Sequence, residues 1–211
     1  MNDRSRLSRK TLRTAALLIC ALVAWPSLQA QTTQSRLGAT ARAAIDRLVD
    51  SLATEKLPGD VIRDKVAEGL LKGADDARIL AAVRSLAARL REGRQLLGAS
   101  AGEDELKAAA SALFVGVTPT DITRLVDTQR KRGTSSLTMP LTVVAELTLR
   151  NVPPDLAVSS VESLLRRGAR DGELNAFRNT IERDLQRGRA PRDAVNAGVR
   201  VTLDGLGRTP E

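Results

Sequence analysis

The stretch Val152-Pro153-Pro154-Asp155-Leu156-Ala157-Val158-Ser159-Ser160-Val161-Glu162-Ser163-Leu164-Leu165-Arg166-Arg167-Gly168 reads as one complete short helix. Proline suits a first helical position because the N–H it lacks would have no partner there. The aspartate two residues after Pro153 stands beside the positive end of the helix dipole. Leu156, Ala157, Val161 and Leu165 fall on one face at helical spacing. Arg166 and Arg167 complement the negative end, and Gly168 can take the left-handed conformation that closes a helix.

The phrase occurs four times, as Pro58–Asp60–Gly73, Pro119–Asp121–Gly133, Pro153–Asp155–Gly168 and Pro191–Asp193–Gly205. Two instances run on into a longer helix. From Pro58, Asp76 lies eighteen residues on and Gly93 thirty-five; from Pro153, Asp171 and Gly188 lie at the same two distances. Ile79, Ala82, Leu86 and Leu90 then align with Leu174, Phe177, Ile181 and Leu185. We read this as an internal repeat of helical hairpins.

The remaining segments also read as helices. One is expected from Gly38 to Ala53, with Ile45, Leu48, Val49 and Leu52 inward. Asp75-Asp76 opens the longer helix after Gly73, with a pause at Gly93. Ser100 and Glu103 have the spacing of a capping box and predict a helix ending near Gly116. Pro140 opens another that ends at Asn151, a residue that tolerates the left-handed cap. No stretch alternates like a strand between turn signals. The fold class is all-α: about nine helices in hairpin repeats, forming a short α-solenoid or a compact multi-helix bundle. One domain is expected over residues 38–206, after a polar linker at 31–37 and before a disordered tail at 207–211.

The formal net charge of +8 invites a nucleic-acid reading until the charge is located. Arg4, Arg6, Arg9, Lys10 and Arg13, against Asp3 alone, place half of it in the first thirty residues. That segment has the form of a secretory signal: a basic stretch, an apolar run from Ala15 to Trp25, then Leu28-Gln29-Ala30 as a small-residue cleavage site leaving Gln31 first. The alternative is an uncleaved membrane anchor, for which the run is short of the roughly 20 residues a bilayer needs. Cys20 sits inside the apolar run, so the expected mature chain has no cysteine and no disulfide.

The chain has no His. Nucleophilic triads built on His are therefore excluded, as are the usual zinc sites. No glycine-rich phosphate loop is present, and no cofactor is implied. Glu103-Asp104-Glu105 and Asp75-Asp76 are the densest acidic groups. Two carboxylates can cut a glycosidic bond, yet both clusters fall in first helical turns, where acids stabilise the dipole. Phe114 and Phe177 lie where core residues are expected. Arg130, Lys131, Arg132, Arg166 and Arg167 close two phrase helices and are the candidates for contact with an anionic surface, although Lys72 alone and Asp204 occupy the corresponding places in the other two.

The hairpin phrase from Val152 to Gly168 resembles exported bacterial helical-repeat proteins that carry no assigned function. The resemblance spans about residues 57–206, departs from the repeat between Gly98 and Asn151, and implies no catalytic residues. The expectation is an exported, non-catalytic interaction or scaffold protein whose partner is another envelope or secreted protein. The alternative is a peripheral binder of an anionic surface (membrane, envelope polymer or nucleic acid) through the basic helix ends, although scarce aromatics weaken nucleic-acid recognition. A carboxylate-only hydrolase is a third reading.

Overall fold

Helix starts and stops in this chain are chemical, and most follow the punctuation of the sequence. The computed structural model describes residues 37–133 and 136–207. Among them are nine helices: α1 (Ala39–Thr54), α2 (Asp60–Leu71), α3 (Asp76–Leu97), α4 (Glu103–Phe114), α5 (Pro119–Lys131), α6 (Thr138–Leu149), α7 (Pro154–Arg166), α8 (Asp171–Gln186) and α9 (Pro191–Leu206). No strand occurs among the described residues. The fold is all-α. The expected signal segment and its Ala30–Gln31 junction lie outside the described residues, as does most of the expected tail.

Prolines 119, 154 and 191 each occupy the first helical position. Thr118 caps α5: its hydroxyl accepts from the Asp121 N–H at 3.1 Å and donates to the Asp121 carboxylate at 2.7 Å. Asp75 caps α3 by accepting from the Arg78 N–H at 2.8 Å. Gly73, Gly133 and Gly168 all have positive φ, and Asn151 closes α6 at φ 64°. These are the left-handed terminators read from the sequence.

Several boundaries differ, each for a local reason. Pro58 precedes α2 by two residues; Gly59, tight against α1, provides the cap instead, and its added Cβ would meet Val49 Cγ1 at 3.2 Å. Pro153 caps α7 because Pro154 takes the first helical place. The box at the start of α4 uses Gly102 and Glu105 rather than Ser100 and Glu103, with the Glu105 carboxylate accepting from the Gly102 N–H at 3.1 Å. Gly93 makes no pause: it is buried inside α3, where its missing side chain admits Ala109 of α4. Gly205 lies within α9, which runs on to Leu206.

The helices pack in two rows. Odd-numbered helices lie side by side, α1 on α3, α3 on α5, α5 on α7 and α7 on α9, while α4, α6 and α8 form the other row. The rows meet where α2 and α4 rest on α3, α6 on α7 and α8 on α9. A continuous apolar core runs between them, with Leu52, Ile62, Leu90, Leu106, Leu125, Leu141, Leu164 and Phe177 fully buried. Helices of this length are marginal alone, so each depends on its row neighbours.

This arrangement qualifies the sequence repeat. The short-then-long helix pair recurs along the chain, but α3 lies in the odd row and α8 in the other. Their buried faces differ accordingly: Ile79, Val83, Ala87 and Leu90 in α3, against Leu174, Phe177 and Ile181 in α8. The phrase helices α5, α7 and α9 do stack consecutively in one row. The first, α2, stands apart from them.

Candidate functional site

Ion pairs tie neighbours within each row and join α2 to α4. Arg91 of α3 grips Glu55 beside α1 with two hydrogen bonds of 2.7 Å, a fork that holds the Glu55 carboxyl below its usual range. Lys107 of α4 reaches Asp60 of α2 at 2.9 Å. That bond lowers the pKa of Asp60 and raises that of Lys107. Between α6 and α8 the pairs are Arg178–Glu146 at 3.2 Å and Arg150–Glu182 at 2.9 Å. Between α5 and α7 the buried Glu162 accepts from Arg124 at 3.2 Å and from Thr128 at 3.4 Å, and its own helix adds Arg166 at 2.5 Å.

The α7–α9 groove is built differently. It is an open cleft of about 780 Å³, with Ser159, Ser160 and Ser163 on the α7 wall and Asp193, Asn196 and Arg200 on the α9 wall. Ser160 is only 6% exposed. Among the described residues, no hydrogen bond or ion pair engages the side chains of Ser160, Ser163, Asn196 or Arg200. Arg189, at the mouth, is held by Asp184 at 2.7 Å. Gly198 sets α9 close to α8, since an added Cβ would lie 3.1 Å from Ile181 and 3.2 Å from Phe177. The walls carry free polar groups. Such a groove can recognise a ligand.

The sequence-derived candidates gather at one edge. Arg130 and Lys131 lie in the last turn of α5, with Arg132 as its cap; Arg166 ends α7, with Arg167 as its cap. A cleft of about 490 Å³ joins Arg132 at the end of α5, Leu165 and Ala169 at the end of α7, and Arg170 at the start of α8. The packing thus brings the two basic clusters into proximity. It also interleaves them with acidic first turns, Glu103, Asp104 and Glu105 of α4 and Asp171 and Glu173 of α8. A second cleft, of about 640 Å³, has Arg130 on one side and those α4 acids on the other. The edge carries both signs.

Three of the five carboxylates considered for hydrolysis, Glu105, Asp75 and Asp76, are engaged in structure. Glu105 accepts from Gly102 N–H with one oxygen and from Leu137 N–H, at 2.7 Å, with the other. It fastens the start of α4 to the start of α6. Asp76 accepts from Gly38 N–H at 3.0 Å, and Asp75 is the α3 cap. No group of three or more metal-binding side chains occurs among the described residues. Nor is any helix there long and apolar enough to cross a membrane.

Phe114 is 64% exposed, contrary to its expected core position, whereas Phe177 is fully buried. Phe114 ends α4 and lies beneath the Arg89 guanidinium, 4.9 Å from the ring centre. Burial pushes Arg89 below its ordinary pKa. The sequence also hid Arg94, which donates to the carbonyls of Lys56, Ala99 and Ala101 and so joins the ends of α1 and α3 to the start of α4. The α7–α9 groove was missed because serines on a helix are an ordinary surface pattern until the facing helix is known.

The chain matches no protein-family model, no curated protein and no solved structure.

Proposed function

We propose that this protein is an exported, non-catalytic interaction module that binds another envelope or secreted protein through the α7–α9 groove. The observation that carries this reading is the contrast between grooves. The α5–α7 groove is bridged by the protein's own Glu162, whereas α7–α9 presents unpaired hydroxyl, amide and guanidinium groups on two fixed helices. Rigid elements carrying convergent polar groups favour specific recognition. The basic n-region, the apolar run and Leu28-Gln29-Ala30 support export; N-terminal sequencing of protein from the envelope or medium should begin at Gln31.

A photo-crosslinking amino acid at Ser159 or Asn196 tests the groove, with Arg63 on the exposed face of α2 as the control position. A discrete adduct from the groove positions alone is expected. Adducts of equal yield from Arg63, or none from the groove, would refute the reading.

A second reading is contact of the basic edge with an anionic surface, favoured by the meeting of the α5 and α7 ends at one cleft. The interleaved acids weaken it, which is why we place it second. It requires retention on anionic vesicles that vanishes near roughly 0.5 M salt, where screening is strong, and that is lost when Arg130, Lys131, Arg166 and Arg167 are all replaced by Gln.

A further inference from the structure

The protein contains its own template for what the open groove lacks. Counting from the first residue of each helix, Arg124 and Thr128 of α5 correspond to Ser159 and Ser163 of α7. On the facing side, Glu162 of α7 corresponds to Val199 of α9. In the α5–α7 groove, a carboxylate therefore sits between a guanidinium and a hydroxyl, at 3.2 and 3.4 Å. In the α7–α9 groove the hydroxyl is retained as Ser163, and Arg200, next to Val199, brings a guanidinium into the same cleft. The carboxylate has become Val199.

No neighbouring acid fills that place. Asp193 lies seven residues from Arg200 on the same helix, about 10 Å along its axis at 1.5 Å per residue. Asp184 is engaged by Arg189 and Arg187 at 2.7 and 3.8 Å. Glu162 is spent on α5. Ser160, more than nine-tenths buried and without a partner among the described residues, also lines the cleft. Apart from Asp193 at one end, the groove holds a guanidinium and hydroxyls with no carboxylate beside them.

From this we infer that the α7–α9 groove takes an acidic peptide segment, one side-chain carboxylate of which binds between Ser163 and Arg200. The inference rests on the interaction reading and names its partner's chemistry. Asn196 and Ser160 are placed to bond the peptide backbone alongside. Asp193 repels a second acid at the other end, so the groove selects an isolated acidic residue over a polyanion. The bound carboxylate reproduces in trans the contact that Glu162 makes in cis.

The test is fluorescence anisotropy of the mature protein with a labelled peptide carrying one Glu among Ser and Gly, and its Gln match. The Glu peptide should bind at least about tenfold more tightly, the scale of one charge-assisted hydrogen bond. Arg200→Gln should erase that preference, and Arg167→Gln, at the basic edge, should leave it intact. Val199→Glu gives the groove its own carboxylate and should block binding; circular dichroism checks that it still folds, and Arg200→Gln stands as the independent variant if it does not. Equal binding of the two peptides, no binding at roughly 1 mM, or equal losses from Arg167→Gln and Arg200→Gln would overturn the inference. In those cases a surviving groove-specific crosslink leaves the interaction module standing and removes only its acidic partner.

Discussion

The two phenylalanines make a paired test of the packing. Phe177 is fully buried, lies between α8 and α9, and has ring carbons 3.2–3.3 Å from where a Cβ on Gly198 would stand. Phe177→Ala removes the six ring carbons from a site whose neighbours are whole helices, and these cannot close over the void without moving α9. Large-to-small replacements of this kind cost about 3–5 kcal/mol. For a domain of this size each kcal/mol shifts Tm by about 2–4 °C, so a drop of about 6–20 °C is expected. Phe114→Ala removes a mostly exposed ring whose main specific contact is Arg89 above it, worth about 0.5–1 kcal/mol at an exposed site. The assay is urea unfolding followed by far-ultraviolet circular dichroism, run on both variants and the parent. Similar losses from the two substitutions, or a loss below about 1 kcal/mol for Phe177→Ala, would show that α9 does not rest on α8 as described.

A double-mutant cycle on Arg124 and Glu162 should give a coupling of about 0.5–1 kcal/mol by urea unfolding, because Arg124 is largely solvated; a coupling near zero would remove the bridge between α5 and α7. Gly168→Val should destabilise by about 1 kcal/mol or more, since its φ of 94° is strained for any β-branched residue, and an unchanged urea midpoint would exclude that cap. The carboxyls of Glu55 and Asp60 are both held below their ordinary pKa, by the hydrogen bonds from Arg91 and Lys107. A depressed carboxylate contributes stability above its unfolded pKa, about 4, and loses it as pH falls through the folded value. Stability should therefore be flat near neutrality, where no His titrates, and fall below about pH 4. Glu55→Gln should weaken that acid dependence by only about a few tenths of a kcal/mol, because the pair is partly solvated; an enlarged dependence in a pH series of urea midpoints would contradict the assignment.

What the sequence disclosed was whatever a single helix decides for itself. Pro119 and Gly133 bracket α5 because a missing N–H and a left-handed residue act locally, and Asn151 ends α6 for the same reason. Gly93 carries the identical residue type with the opposite meaning, because Ala109 of another helix presses against it. Phe114 satisfies the spacing of a core residue within α4 and is nevertheless exposed at its end. The groove was the least legible feature. Its serines acquire meaning when Ser163 is set beside Arg200, and its vacancy when Thr128 and Glu162 are seen bridged one groove earlier. Both statements require knowing that α5, α7 and α9 share a row.

That row has a consequence for how the molecule comes together and apart. Each helix finds its main partners no more than two helices away along the chain, so a stable nucleus need not wait for the C-terminus. Helices α1 to α5 can hold one another before α7 to α9 have joined them. The same locality grades the loss of structure. Amide exchange should be fastest in α1 and α2, each of which rests mainly on α3 alone, and slowest in α3, which touches neighbours on both sides and in both rows. The α7–α9 groove lies at the other end of the odd row from α1, where α9 is held by both α7 and α8.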